Sequence, residues 1–158
     1  MRLELTAFTR RGAALAARLA EELTRRGHQA ACTRGAGESA ADWTAQAFGR
    51  AQGLIFVGAA GIAVRSIAPH LRHKSTDPAV VVVDERGQFA IPILSGHLGG
   101  ANDLAREIAA LLGGQAVITT ATDVNGAFAV DQWARAQGLA VCNPEKIVDV
   151  SSALLEGK

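Results

Sequence analysis

Short apolar runs alternate along this chain with longer segments in which apolar residues recur every three or four positions, from Leu3 to Ala136. The runs are strand-like and the longer segments helix-like, because side chains repeat every two residues in a strand and every 3.6 in a helix. Leu3 to Phe8 alternates and predicts a first strand. From Arg11 to Arg26, Ala14, Leu15, Leu19 and Leu23 share one helical face, and Gly27 closes that helix. His28 to Cys32 reads as a weaker strand, and Ala40 to Gly49 as a helix with Trp43 and Phe48 turned inward.

Leu54-Ile55-Phe56-Val57 is continuously apolar, as a strand covered on both faces would be. Ile62 to Leu71 then predicts a short helix opened by Gly61. Ala79 to Asp84 contains four valines and is the strongest strand in the chain. Glu85-Arg86-Gly87-Gln88 is a turn, and Phe89 to Leu94 returns beside it. That spacing leaves no room for a parallel crossover, so the pair is an antiparallel hairpin. Pro92 cannot donate to a ladder, which places the second strand at an edge or at a bulge. Ala101 to Leu112 is a helix stopped by Gly113-Gly114, Gln115 to Thr120 a strand, Ala127 to Ala136 a helix, and Leu139-Ala140-Val141 the start of one more strand. Asp84 and Asp123 read as turn and capping residues.

This order predicts a Rossmann-like three-layer α/β/α sandwich, with a mostly parallel sheet and one antiparallel hairpin. The domain is expected to span residues 1–137. Residues 138–158 carry Pro144 and a polar-apolar mixture without an evident core contribution, and read as a docking tail or the opening of a further region.

Composition narrows the function classes. With 158 residues, 49% of them hydrophobic and 20% charged, the chain supports one domain with a core. A formal net charge of +1 gives no basis for broad nucleic-acid or membrane-surface binding. No apolar run reaches the roughly 20 residues that span a bilayer, and the N-terminus does not have the make-up of a signal peptide. A cytoplasmic protein is expected. Cys32 and Cys142 lie far apart without a CxxC partner and read as isolated buried thiols.

Four polar loops follow apolar runs: Gly58 to Arg65, Lys74 to Pro78, Leu94 to Asn102, and Thr119 to Asp123. Ligands in open α/β sheets sit beyond the carboxyl ends of strands, which predicts one edge rich in chemistry. Gly58-Ala59-Ala60-Gly61 opens a helix, where free amides favour an anion and where glycines also serve tight packing. It is not GxGxxG and no Gly-Lys-Ser/Thr follows, so nucleotide binding has little support. Arg65 can reach an anion at that helix start, or lie solvated. His70, Arg72, His73 and Lys74 form a basic cluster that suits a polycarboxylate substrate as well as plain solvation. His97 sits on a glycine-flanked loop as a candidate acid or base, and Ser95-Gly96-His97 is not a nucleophile elbow. The amides of Gly99 and Gly100 are candidate oxyanion donors. No carboxylate pair has a spacing suggestive of glycosidase or two-metal chemistry.

The segments Gly58 to Arg65, Asp77 to Glu85, Leu94 to Asn102 and Val117 to Asp123 closely resemble the N-terminal region of the CbiG family, the cobalt-precorrin-5A hydrolases of anaerobic cobalamin biosynthesis. The resemblance is strongest from about Gly53 to Trp133, and Asn143-Pro144 and Ala153 to Lys158 are similar to the start of the family's middle region. It implies an N-terminal part without the family's C-terminal domain. It also implies a hydrolase that opens a δ-lactone on a cobalt-corrinoid substrate and releases acetaldehyde to give cobalt-precorrin-5B. The cobalt would be carried by the substrate, with no cofactor or metal site of the protein's own. For that reaction the loops themselves offer His97 and Ser95 as the candidate catalytic residues. Gly58, Gly61, Arg65, Lys74, Gly99, Gly100, Asn102, Thr119, Thr120 and Asp123 are the candidate substrate-binding residues. The alternative is a non-catalytic tetrapyrrole-binding domain or subunit that works with a separate C-terminal part or other pathway enzymes. A generic anion- or nucleotide-binding domain is a third reading.

Overall fold

The computed structural model describes residues 1–157. Six strands form one sheet in the order β2-β1-β3-β4-β5-β6. They are β1 (Arg2–Ala7), β2 (Gln29–Cys32), β3 (Gly53–Val57), β4 (Ala79–Val83), β5 (Phe89–Leu94) and β6 (Gln115–Ala116). The pairs β2/β1, β1/β3 and β3/β4 are parallel, β4/β5 is antiparallel, and β6 runs parallel to β5. The predicted α/β sandwich and its hairpin are therefore present.

The helices are α1 (Arg10–Arg25), α2 (Ala40–Ala47), α3 (Ala60–Ile67), α4 (Ala101–Leu112), α5 (Ala121–Val124), α6 (Val130–Ala136) and α7 (Ile147–Leu155). Strand alternation divides the core between two faces. Leu3, Leu5, Ile55, Val57, Val81 and Val83 pack with Leu15, Leu19 and Leu23 of α1 and Leu104 and Ile108 of α4. Leu54, Phe56, Val80 and Val82 pack on the other face with Trp43 of α2 and Ala63 and Ile67 of α3. Both faces of β3 and β4 are covered, which is why their sequences are continuously apolar. The Thr9 hydroxyl accepts from the Gly12 amide and starts α1, and Gly113, with φ at 67°, ends α4.

Pro92 lies at a bulge. The register shifts between Val80 and Val81, which pair with Leu94 and Pro92, so Ile93 is the extra residue. The carbonyls of Gln88 and Ala90 accept from Gln115 and Val117, so alternation turns position 92 toward β6. That strand has already stopped, and the missing N–H of proline breaks no ladder bond.

Several expectations are corrected. The strand foreseen over Gln115–Thr120 is limited to Gln115–Ala116, and Leu139–Val141 is irregular. The helix foreseen from Ala127 begins at Val130, preceded by the single turn of α5. The tail does contribute to packing, since α7 contacts α5 and α6 and buries Ile147. Lys158, the last residue of that tail, lies outside the described residues. Both cysteines are exposed, because Cys32 ends the edge strand β2 and Cys142 lies in the irregular stretch before α7.

One charged group belongs to the fold itself. Glu4 of β1 is buried and accepts from Arg50 Nε at 2.6 Å, Arg50 Nη2 at 2.7 Å and the Thr33 hydroxyl at 2.7 Å. The Arg50 hydrogen bonds hold its carboxyl below the usual range against the opposing effect of burial, and Thr33 adds to them. A folded-state pKa below the unfolded one gives stability that is full above the unfolded value of about 4.3. It is lost as pH falls through the folded value. Glu4→Gln is expected to lower Tm by about 3 °C at pH 7, with the difference from wild type shrinking below about pH 4. Thermal melts at pH 7 and pH 3.5 check this, and an equal difference at both would contradict it.

Candidate active site

The reversal at the β4–β5 hairpin decides where the polar loops lie. The carboxyl ends of β1 and β3 face one edge of the sheet, and those of β5 and β6 the opposite edge. Gly58 and Gly61, at the start of α3, therefore sit apart from the loops after β5 and β6. The loop before β4, with Lys74, joins the latter. The expectation of a single shared edge is corrected: three loops meet and the Gly58–Gly61 loop does not. Arg65 stays with that outlying loop, exposed, with its guanidinium about 3.4 Å from where a Cβ on Gly61 would stand.

The three loops that meet line a pocket of about 350 Å³ with α6 and α7. Lys74, Ser95, His97, Thr120, Thr122 and Asp131 supply its polar wall, and Ile147, Val148 and Leu155 its apolar one. That volume is at the small end for ligand sites, enough for one segment of a large molecule. Among the described residues, no group of His, Cys, Asp and Glu is arranged to hold a metal ion.

His97 stands between two carboxylates. Its Nε2 is 2.6 Å from Asp123 Oδ2 and its Nδ1 is 3.3 Å from Asp131 Oδ1. The ring donates to both only as the imidazolium; a neutral ring donates to one and turns a lone pair toward the other. Asp123 Oδ2 also accepts from the Thr120 hydroxyl at 2.5 Å and the Asn102 amide at 3.0 Å, while Oδ1 pairs with Arg106. Burial pushes the Asp123 carboxyl up, but the hydrogen bonds from Thr120, His97 and Arg106 together outweigh it and hold the group far below the ordinary carboxylate range. Asp123 is thus a fixed anion that orients the histidine.

The remaining candidates divide clearly. Ser95 lines the pocket, but its hydroxyl donates to the Asp77 carbonyl at 2.9 Å, and its φ of 56° is a left-handed conformation uncommon for a side-chain-bearing residue. The Gly100 amide donates to the His97 carbonyl at 3.0 Å, so it is not free for an oxyanion. Its φ of 83° and the Arg135 guanidinium packed against it account for glycine there. Gly99 lies beside Leu98 and Arg135 in a neighbouring depression. Asn102 is buried and spans Thr120, at 2.9 Å, and Asp123, a brace behind the pocket. Thr119 is exposed and outside the lining, whereas Lys74 lines the pocket and has no ion pair among the described residues. Sequence reasoning missed Arg106, Asp131 and the α7 wall. Arg106 follows Asn102 by four residues, so the shared helix face was a usable signal.

Residues 42–123 match the family described as "Cobalamin synthesis G N-terminal". The chain is 60% identical over 89 residues to a cobalt-precorrin-5A hydrolase of Salmonella typhimurium, covering 56% of this chain and 25% of that protein. It is 46% identical over 104 residues to a cobalt-precorrin-5A hydrolase of Priestia megaterium, covering 66% of this chain and 28% of that one. It thus spans about a quarter of the length of the curated relatives it matches. The fold matches the crystal structure of a cobalamin biosynthesis protein G homolog from Sulfolobus solfataricus with a TM-score of 0.67 at 24% identity, over 99% of this chain and 47% of that one.

Proposed function

The chain belongs to the cobalamin synthesis G family through its N-terminal domain, and from that premise we propose that it hydrolyses the δ-lactone of cobalt-precorrin-5A. The observation that carries the reading is the meeting of His97, Asp131, Thr120 and Lys74 around one pocket, with Asp123 paired to His97. Opening a lactone needs a group that takes a proton from water and charge to steady the tetrahedral oxyanion. An ionisable cluster with a fixed anion behind it meets the first need. The unpaired Lys74 ammonium meets the second, or holds a carboxylate arm of the substrate.

A pocket of about 350 Å³ receives the lactone-bearing rim while the rest of the macrocycle lies outside it. Loss of the two-carbon unit as acetaldehyde then follows as a retro-aldol step, with the macrocycle accepting electron density and the protein holding the orientation. In this reading cobalt arrives with the substrate, no cofactor of the protein's own takes part, and the protein works in the cytoplasm. Among the described residues, no helix is long and apolar enough to cross a membrane. Residues 1–137 then form the N-terminal domain, and 138–158 open the family's middle region.

The test is to incubate the chain with cobalt-precorrin-5A and follow acetaldehyde by derivatisation and the corrinoid by mass. Release of acetaldehyde at a rate above the protein-free control is expected. Corrinoid binding without release would instead favour a tetrapyrrole-binding domain that works with a separate C-terminal part, and neither would leave the reading without support.

A further inference from the structure

The two carboxylates beside His97 differ in how fully they are used. A carboxylate offers about four acceptor positions. Asp123 takes four donors, His97, Thr120 and Asn102 at Oδ2 and Arg106 at Oδ1. Asp131 is otherwise placed. Its Oδ1 accepts from the Gln132 amide at 3.1 Å and faces His97 Nδ1 at 3.3 Å, while Oδ2 has no protein partner among the described residues. Among the described residues only Thr6 Oγ1 is both sealed from solvent and unpartnered, so Asp131 Oδ2, on a side chain 8% exposed that lines the pocket, is not fully sealed.

We propose that Asp131 is the general base of the pocket, taking the proton from the water that attacks a lactone carbonyl, and that His97 and Asp123 position it. This rests on the hydrolase reading of the preceding subsection and assigns the proton-transfer role to a residue other than His97. Two carboxylates with unequal environments commonly take unequal roles, one fixed as an anion and one exchanging protons. His97 cannot act first. Its Nε2 is held by Asp123, and its Nδ1 faces Asp131 rather than open space.

The step balances. A water O–H bond breaks as its proton passes to Asp131 Oδ2, and the water oxygen bonds to the lactone carbonyl carbon. Collapse of the tetrahedral adduct breaks the ring C–O bond, and the proton on Asp131 passes to the departing ring oxygen. The products are a carboxylic acid and an alcohol, and Asp131 returns to its carboxylate form.

The titratable groups lining the pocket with Asp131 are His97, from the β5–α4 loop, and Lys74, from the loop before β4. The α5 segment presents Thr120, Ala121 and Thr122, and α7 presents no titratable side chain to the pocket.

Asp131→Asn and Asp131→Glu, each checked for an unchanged melting transition, are assayed against wild type for kcat and KM on cobalt-precorrin-5A. Asp131→Asn should lower kcat by about 100-fold or more with little change in KM. Asp131→Glu should restore part of the rate. An Asn variant with wild-type kcat would overturn the assignment and leave the hydrolase reading standing. A wild-type chain that produces no ring-opened product overturns both.

Discussion

Asp123→Ala is expected to cost about 3 kcal/mol of folding stability at pH 7, although the residue lies in a helix of a single turn. The carboxylate is almost wholly buried, with 8% of its side chain exposed, and four donors converge on it. Its removal leaves the Thr120 hydroxyl, the Asn102 amide and His97 without their acceptor, and Arg106 without its partner in α5. Arg106 is 42% exposed and can turn to water, which keeps the cost at the lower end for a broken buried charge pair. The pH dependence has a definite sign. The Asp123 carboxyl is held below its unfolded value, so its contribution is full above about pH 3.9 and is lost as pH falls through the folded value. Urea denaturation should therefore show a difference between wild type and variant at pH 7 that narrows below about pH 4. A difference under about 1 kcal/mol at pH 7 would mean that the network adds no net stability.

The same network shows what was legible in the sequence. Elements defined by dense apolar patterning were placed well: Ala79–Val83 with its turn and return strand, and α4 from Ala101 to Leu112. Their signals are local, because burial on both faces or along one helical stripe appears in neighbouring residues. The region after Leu112 was harder. There β6 is two residues long, α5 is one turn, and the position of α7 depends on contacts with α5 and α6. The hairpin is legible in the local pattern, but the edge to which it carries the following loops depends on the sheet order. Reversing β5 carries Ser95, His97 and the loop after β6 to the edge away from Gly58 and Gly61. Asp131 left no local trace. It is eight residues beyond Asp123 in sequence, and only the path of the chain from α5 to α6 sets the two carboxylates on either side of one imidazole.

Gly99→Ala is the substitution of a single methyl group with the largest expected effect in the site loop, about 3 kcal/mol of stability. A Cβ at Gly99 would stand 2.4 Å from Ser95 Cβ and 2.8 Å from the Ser95 carbonyl oxygen. Neither can yield cheaply. Ser95 already has a left-handed backbone, its hydroxyl is tied to the Asp77 carbonyl, and its own carbonyl accepts from Ala101 at 3.1 Å to start α4. Relief therefore opens the turn that carries His97, so the ring moves relative to Asp123 and Asp131, and ring-opening activity should fall with stability. Two other glycines separate this steric cause from backbone strain. Gly113→Ala meets nothing within 4 Å but places a side chain at φ of 67°, and should cost about 1 kcal/mol with activity preserved. Gly49→Ala meets neither obstacle and should change stability by less than about 0.5 kcal/mol. Denaturant midpoints for the three variants should fall in that order. If Gly99→Ala matches Gly49→Ala, the loop is soft enough to take a methyl group, and the rigid support that the His97 site requires is not supplied by Ser95.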